Sequence, residues 1–183
     1  RNGLKACVHA TEYETAKLAV EAGADVLVHS IDDKVLDDAF LQLLKAKNVT
    51  YIPTLQVYDN YMRLRSQNFS FSPYDFKYAN PFMLGSTMDL QHINTAISGI
   101  DYTYFRKVIK LPNAMDSIMA KNLFLVMKAG INVVAGTDAG NIGTHHGSSF
   151  LKELELMKAA GLSEWEILKS CTINAAKGFG KEK

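Results

Sequence analysis

An apolar run that stops at an aspartate between glycines constrains the fold of this chain more than any other feature. Residues 133–140 read VVAGTDAG, so a short apolar segment ends within a few residues at Asp138. Such a segment predicts a buried strand, and the glycines predict a turn that places one carboxylate at the end of a sheet. In parallel α/β folds, that end of the sheet carries the chemistry. We therefore expect Asp138 to be a functional residue.

Two earlier short runs end in the same way, on histidines. Residues 5–8 lead into His9, and residues 25–28 lead into His29. A single polar residue at a strand end is ordinary, but His, His and Asp at three strand ends all suit a metal ion. We interpret His9, His29 and Asp138 as a candidate metal site rather than as three unrelated polar residues.

Length and charge narrow the class of protein. The 183 residues favour one domain with a substantial core. The formal net charge is +1 and the Lys and Arg residues are scattered, so no nucleic-acid or membrane-surface partner is indicated. No run is long and apolar enough to span a bilayer. Cys7 and Cys171 lie far apart in apolar settings, which we interpret as two buried free thiols.

Strands and helices alternate along most of the chain. Polar residues predict three helix starts, at Thr11 with Glu14, at Asp32 or Asp33, and at Ser163 with Glu166. Residues 50–55 predict a further strand, with Pro53 near its end. This alternation predicts a parallel sheet whose carboxyl ends lie on one side.

Strand spacing limits which residues can share an ion. Adjacent strands lie roughly 4.8 Å apart, so His9 and His29 can meet, whereas Asp138 reaches them only if the sheet curls into a barrel. A closed eight-stranded parallel barrel needs about 250 residues, and four strand units are visible. The sequence therefore predicts an α/β chain that forms half of such a barrel.

A long segment from about 57 to 113 interrupts this pattern. It has no clear periodicity and is crowded with Phe and Tyr. Two interpretations remain open, a helical insertion that packs on the flank of the barrel and a lid or substrate wall. His92, within it, is interpreted as a surface or packing residue. No GxGxxG, GxxxxGK[ST] or GxSxG pattern occurs, which disfavours phosphate cradles and α/β-hydrolase serine enzymes.

An ordered set of short segments carries a resemblance to a known family. The segments are VHA at 8–10, EAGADVLVH at 21–29, PTL at 53–55, GTDAG at 136–140, HG at 146–147, ELELM at 153–157 and TINAA at 172–176. Together they resemble the amidohydrolase superfamily, and within it the imidazolonepropionase-like and Xaa-Pro dipeptidase-like group. The resemblance implies about strands five to eight of a TIM-like (β/α)8 metallo-hydrolase barrel over residues 1–183, with the aromatic segment as an insertion.

The resemblance also implies roles for individual residues. His9 corresponds to a metal ligand at strand five, and His29, at strand six, to a ligand, a catalytic residue or both. Asp138 corresponds to the ligand and proton carrier at strand eight. His146 corresponds to a histidine that contacts substrate, although a loop histidine with a backbone contact is an equal alternative, and His145 matches no role. The cofactor implied is one or two divalent ions, usually zinc.

The implied activity is metal-dependent hydrolysis of a carbon–nitrogen bond in a dipeptide, cyclic amide or related small substrate. The family's HxH on strand one and its strand-four ligand have no counterpart here. We therefore expect a fragment that is inactive alone and that forms a homo-oligomer or pairs with a missing N-terminal half. The alternative from another class is a non-catalytic half-barrel that binds a partner or small molecule. A phosphate-binding barrel isomerase or lyase is disfavoured by the three metal-suited strand ends.

Overall fold

The computed structural model describes residues 3–67, 70–89, 92–108 and 117–181. Its strands are β1 (Cys7–His9), β2 (Val26–Val28), β3 (Thr50–Ile52) and β4 (Asn132–Val133). Its helices are α1 (Tyr13–Glu21), α2 (Asp38–Ala46), α3 (Leu55–Arg65), α4 (Pro73–Tyr78), α5 (Pro81–Asp89), α6 (Thr95–Ser98), α7 (Tyr102–Val108), α8 (Ser117–Lys128), α9 (Ser148–Ala159), α10 (Glu164–Cys171) and α11 (Ile173–Gly178).

The chain divides into two compact units. The sheet unit comprises Arg1–Leu55, Met115–Gly136 and Leu154–Lys183, and the helical unit comprises Gln56–Ala114 and Thr137–Glu153. The helical unit therefore contains the aromatic segment together with the loop that carries Asp138. The assignment of residues 1–183 to one barrel domain with an insertion stays a prediction.

The sheet unit contains a parallel four-stranded sheet in the order β1-β2-β3-β4. The register places His9 beside Val28, and Val28 beside Ile52. At the other side of β3, Tyr51 lies beside Val133. All four strands predicted from the sequence are thus present, and their carboxyl ends lie on the same side of the sheet. Two are shorter than predicted, because β3 ends at Ile52, before Pro53, and β4 ends at Val133.

Helices cover the sheet with apolar side chains. Leu27 and Tyr51 of the sheet are fully buried, and α1, α2 and α8 contribute the buried side chains of Val20, Phe40 and Leu123. Burial of a large apolar side chain contributes about 1.5–3 kcal/mol, so these positions account for much of the stability of the unit.

The outward edge of β4 is bonded within the chain. The Val134 amide donates to the Tyr51 carbonyl, so the neighbouring residues Val133 and Ala135 direct their backbone groups away from β3. Asn174 Nδ2 donates to the Val133 carbonyl at 3.0 Å, and the Ala135 amide donates to the Ser170 carbonyl at 3.2 Å. Residues 170–174 therefore satisfy edge groups that a further strand would otherwise pair with.

The start of α2 differs from the prediction. The buried Asn122 side chain donates to the carbonyls of Ile31 and Lys34 and accepts from the Leu36 amide, all at 2.9 Å. These bonds hold the loop out of helical conformation, so α2 begins at Asp38 with Asp37 as its N-cap. The predicted start at residue 32 or 33 is wrong for that reason.

The start of α1 is also capped from a distance. The N-cap position is Glu12, whose side chain makes no capping bond. Instead, Asp33 Oδ1 accepts from the Tyr13 amide at 2.8 Å. The predicted capping box of Thr11 and Glu14 is therefore wrong. The carboxylate of Asp33, 20 residues after Tyr13 in the sequence, accepts the hydrogen bond at the start of the helix instead.

The capping box of Ser163 and Glu166 is confirmed at the start of α10. A second, unpredicted box of Ser72 and Asp75 begins α4 in the helical unit. Both satisfy backbone amides that helix starts leave without partners.

The described part of the aromatic segment is helical, with α3 to α7 following one another. Its buried apolar side chains include Val57, Leu64, Leu84 and Tyr102. His92 is exposed, as expected for a surface residue. Whether the segment acts as a lid stays a prediction.

Two further expectations concern membranes and thiols. Over the described ranges, the structure contains no helix with the length and apolar character needed to cross a bilayer. Cys7 and Cys171 are free thiols, but Cys7 is exposed and Cys171 is half-buried. The expectation that both are buried is wrong: Cys7 lies on β1, an outer strand of the sheet, and Cys171 is the last residue of α10.

Candidate functional site

Two histidine rings meet at the carboxyl ends of β1 and β2. His9 ends β1, and His29 directly follows β2. Their ring centroids are 4.4 Å apart, with the planes at 71°. His29 is buried and His9 is exposed. The structure thus brings together two of the three predicted metal ligands.

A buried threonine holds one of these rings. Thr54 Oγ1 lies 2.5 Å from His29 Nδ1, and Thr54 is 1% exposed. A hydrogen bond to one ring nitrogen fixes the orientation of the imidazole, as second-shell partners do for histidines that bind metals. Thr54 is therefore a positioning residue for His29.

Backbone strain is concentrated after successive strands. His29 follows β2 with φ of 82°, Thr54 follows β3 with φ of 46°, and Asp138 follows β4 with φ of 54°. A non-glycine residue in this left-handed region costs about 1–3 kcal/mol, and a β-branched threonine is rare there. Such strain persists where the surrounding structure imposes it, and it is typical of functional sites.

Asp138 lies in the helical unit, where an asparagine orients its carboxylate. Asn141 Nδ2 donates to Asp138 Oδ2 at 3.0 Å. The Tyr61 hydroxyl in turn donates to Asn141 Oδ1 at 2.5 Å. The carboxylate is exposed, yet this chain of bonds fixes its direction. The arrangement suits a group that exchanges a proton with water or substrate.

His146 is exposed and lies against Gly140. Its Nε2 is 3.4 Å from the place that a Cβ on Gly140 would occupy, and Gly140 has φ of 103°. A side chain at residue 140 would be strained by this φ, and its Cβ would be in van der Waals contact with the imidazole. The two interpretations of His146, a contact with substrate and a contact with the backbone of its own loop, both stay predictions.

His145 is buried, unlike its neighbour. Its Nε2 lies 3.0 Å from Thr87 Oγ1, and its Nδ1 lies 3.6 Å from Asp75 Oδ1. Burial by itself raises the pKa of the Asp75 carboxyl, but hydrogen bonds from His145, Ser148 and Ser72 outweigh it and hold that pKa well below its usual range.

The donor chemistry of the sheet unit fits part of a divalent metal site. Two adjacent imidazoles, one of them held by a hydroxyl, are typical ligands for zinc. Among residues 3–67, 70–89, 92–108 and 117–181, no three His, Cys, Asp or Glu side chains are grouped as metal ligands. His9 and His29 are thus the residues of this unit that would hold an ion, and further ligands would be needed.

Solved structures of peptide- and amide-bond hydrolases have the same arrangement of elements. A Xaa-Pro dipeptidase with methionine bound in its active site matches with a TM-score of 0.63 at 19% identity, covering 99% of this chain and 35% of that one. A protein of Bifidobacterium longum assigned as a prolidase gives 0.65 at 21%, covering 99% and 37%. The bottromycin amidohydrolase gives 0.62 at 19%, covering 100% and 42%. This chain has the fold of part of an amidohydrolase barrel.

The amidohydrolase-like fold confirms the predicted α/β class and the predicted partial barrel. The chain spans 35% to 42% of the length of these three structures. At about 20% identity the likeness establishes the fold, while function is argued from the residues. No protein-family model matches the sequence, and no curated protein matches it either.

Three residues that hold the candidate site residues in place were not predicted from the sequence. Thr54 lies in a segment that carries the family resemblance, but its contact with His29 depends on the packing of β3 beside β2. Asn141 bonds Asp138 from three residues away, and Tyr61, 80 residues from Asn141, bonds Asn141 in turn. For Asn141, the sequence signal was its position in the glycine-rich loop, since Asn and Gly favour tight turns.

Proposed function

We propose that this chain is the C-terminal part of a metal-dependent amidohydrolase that hydrolyses a carbon–nitrogen bond. The observation that carries the proposal is the pair of imidazoles 4.4 Å apart at the ends of adjacent parallel strands. A strained, hydroxyl-held His29 beside the strand-end His9 is difficult to explain by packing alone. The fold supports the same conclusion, because similar structures bear the names of amide and peptide hydrolases.

Each residue has a defined task in this proposal. His9 and His29 hold the ion, and Thr54 keeps His29 in position. A bound divalent ion, zinc by the family resemblance, would polarise the carbonyl group and acidify a water molecule. By the family resemblance, Asp138 would be the proton carrier, taking a proton from water and giving it to the leaving nitrogen, and Asn141 directs its carboxylate.

The proposed substrate is a small amide, such as a dipeptide or a cyclic amide. Two of the similar structures are named as a dipeptidase and a prolidase. His146, exposed in the loop after Asp138, is the residue of this chain that we propose contacts the substrate. Nothing in the composition supports nucleic acid or a membrane as a partner.

A non-catalytic half-barrel is the second candidate. It is supported by the outward edge of β4, where Asn174 and the Ser170 carbonyl bond Val133 and Ala135. When the backbone groups at the edge of a sheet are hydrogen-bonded within the same chain, no further strand is required to pair with them. In that case the chain would bind a partner or small molecule without hydrolysing it.

The test uses the longest natural protein that contains this sequence. It would be assayed on a panel of dipeptides and cyclic amides, before and after chelation and again after zinc is restored. The proposal predicts hydrolysis that chelation abolishes and zinc restores. Binding of panel compounds without turnover at any zinc level would favour the non-catalytic half-barrel instead.

A further inference from the structure

The sheet unit contains a cavity of 240 Å³ that lies away from His9 and His29. An apolar cavity of about 150 Å³ holds a molecule the size of benzene, so this space can take a compound at least as large. The last turn of α8, the start of β4, α10 and α11 surround it. Gly130 and Ile131, which precede β4, are among its lining residues. The cavity therefore lies toward the amino ends of the parallel strands, whereas the two histidines lie at the carboxyl ends.

Two asparagines in the wall of this cavity are held by hydrogen bonds within the sheet unit. Asn132 Nδ2 donates to Thr50 Oγ1 at 3.2 Å and to the Asn174 carbonyl at 3.1 Å. Asn174 Nδ2 donates in turn to the Val133 carbonyl at 3.0 Å. These bonds tie α11 to β3 and β4, so this wall is formed before a ligand arrives. A pre-formed wall lowers the entropic cost of binding.

The acidic side chain in the lining, Glu166, already caps a helix. Its Oε2 accepts from the amide and from the hydroxyl of Ser163, both at 2.8 Å, in the capping box of α10. These bonds lower the pKa of the Glu166 carboxyl, and the amide of Ser163 has the largest effect. Glu166 is therefore ionised at neutral pH, and its capping oxygen cannot bind a cationic ligand without loss of the cap.

Two lysines in the lining are available to a ligand. Lys169, on α10, is half-buried, and Lys177, on α11, is exposed. Neither makes a hydrogen bond or an ion pair with another described residue. Lys169 acts on Glu166 only through its charge, which helps to lower the pKa of that carboxyl, as the charge of Lys128 does. Two lysines and one glutamate leave the lining with a formal net charge of +1.

Lys169 and Lys177 both lie in the last turn of their helices, where a cation is favourable in any case. The carboxyl end of a helix carries about half a negative charge, so an ammonium group there keeps a positive surplus. Helix stabilisation explains where each lysine lies along its own helix, but it does not explain why both border the same cavity. A cleft lined by one sign of charge concentrates ions of the opposite sign.

We propose that this cavity binds a small organic anion that carries a carboxylate or a phosphate group. The acidic group would accept hydrogen bonds from Lys169 and Lys177, since an ammonium group binds either oxyanion as a point charge. Succinate and glycerol phosphate are suitable in size and charge. The proposal does not depend on the proposed hydrolysis, because the described lining residues belong to the sheet unit and include neither His9 nor His29.

The test is calorimetric titration of the longest natural protein that contains this sequence, with succinate and glycerol phosphate as the two probes. Succinamide and glycerol are their uncharged counterparts. At least one anion should bind in a saturable way and more weakly as salt is added. Its uncharged counterpart should bind about tenfold more weakly or worse, because it lacks the charge-assisted hydrogen bonds. The anion that binds identifies the acidic group.

Charge variants show where the anion binds. Lys169→Gln and Lys177→Gln should each weaken binding about two- to fivefold, since a single exposed charge pair contributes little. The double variant should weaken it about tenfold, if the two effects add. Lys177→Arg keeps the charge and should retain most of the binding. Lys121→Gln, at an exposed position of α8 outside the cavity, removes the same charge and should change nothing.

The proposal is overturned if neither anion binds in a saturable way, or if the uncharged counterparts bind equally well. It is also overturned if the double lysine variant binds the anion as the wild-type protein does. Loss of anion binding in His9→Ala, with binding retained in the double lysine variant, would place the anion at the hydrolytic site instead. That result would overturn the cavity proposal and leave the proposed hydrolysis standing.

Discussion

At the scale of single residues, Thr54 is the side chain whose role is least visible in the sequence. It stands after Pro53 with φ of 46°, a conformation that β-branched residues rarely adopt. In this strained conformation, the buried Thr54 hydroxyl lies 2.5 Å from His29 Nδ1. Sequence patterns could place His9 and His29 at strand ends, but the hydroxyl contact depends on tertiary packing.

The first prediction concerns Thr54→Val in the longest natural protein. Valine keeps the branched shape but removes the hydroxyl, so His29 loses its orienting partner. Loss of a second-shell partner costs about 10- to 100-fold in metal affinity or activity, and we expect a decrease of that size. Zinc titration and turnover would measure it. Thr15→Val, on the exposed side of α1, is the control, and equal behaviour of the two variants would refute the role of Thr54.

The second prediction concerns the acid stability that Asp75 confers. Its pKa is held below the ordinary value, so the folded state binds fewer protons than the unfolded state. The stabilisation is therefore complete at neutral pH and is lost as the pH falls below about 3.9.

Asp75→Asn should lower the free energy of unfolding at pH 7 and flatten its decline in acid. Denaturant unfolding at several pH values would show this. Asp89→Asn, at an exposed position of α5, is the control. A wild-type acid decline that Asp75→Asn leaves unchanged would mean that other carboxylates are responsible.

At the scale of elements, the strands were predictable and the helix starts were only partly so. The strands are short apolar runs that end on polar residues, a local signal that survives folding. The signal for the start of α10 is also local, because Ser163 and Glu166 lie close in sequence and form a capping box. The starts of α1 and α2 depend on Asp33 and Asn122, which act from distant positions in the chain.

The helices of the aromatic segment could not be predicted from the sequence either, for a different reason. Its described residues form five helices, most of them short. Helices of six or seven residues provide too few turns for a periodic pattern to be recognised. Their caps, such as Ser72 at α4, lie among loop-like residues and were not recognised as helix starts.

The third prediction concerns the outer edge of β4. Asn174→Leu removes the donor to the Val133 carbonyl, and a buried acceptor left unpaired costs about 1–3 kcal/mol. We expect a decrease of that size in the free energy of unfolding and more self-association, because an unpaired edge recruits other strands. Chemical denaturation and sedimentation across a concentration series would measure both. Unchanged values for both would show that Asn174 does not protect the edge.

At the scale of the whole molecule, the order of the strand-end residues determined the predicted fold. His, His and Asp after the first, second and fourth strands favour a parallel sheet with one functional side. An incomplete metal site was also expected, because the HxH and the strand-four ligand that the family resemblance implies have no counterpart in the sequence. The chain covers about a third of the similar structures, and the described residues group two histidines without a third ligand.

The fourth prediction concerns zinc binding by the 183-residue chain alone. His9, His29 and Asp138 supply at most three protein ligands, so we expect weak binding. We expect the longer natural protein to bind zinc tightly and in a fixed ratio. Equilibrium dialysis with metal analysis would compare the two. Tight, stoichiometric zinc in a monomer of the short chain would contradict the partial-site account.

The most direct test of the amidohydrolase account measures turnover and bound metal together in variants of the longest natural protein. Asp138→Asn keeps the size of the side chain but removes its ability to accept a proton at neutral pH. Turnover should fall by about 10²- to 10⁴-fold, the usual contribution of acid–base assistance, while metal content falls less.

His9→Ala removes a ligand, so metal content and turnover should fall together, whereas His92→Ala, at an exposed position, should change neither. Near-normal turnover in Asp138→Asn, on a dipeptide or cyclic amide that the wild-type protein hydrolyses, would contradict the account at its centre.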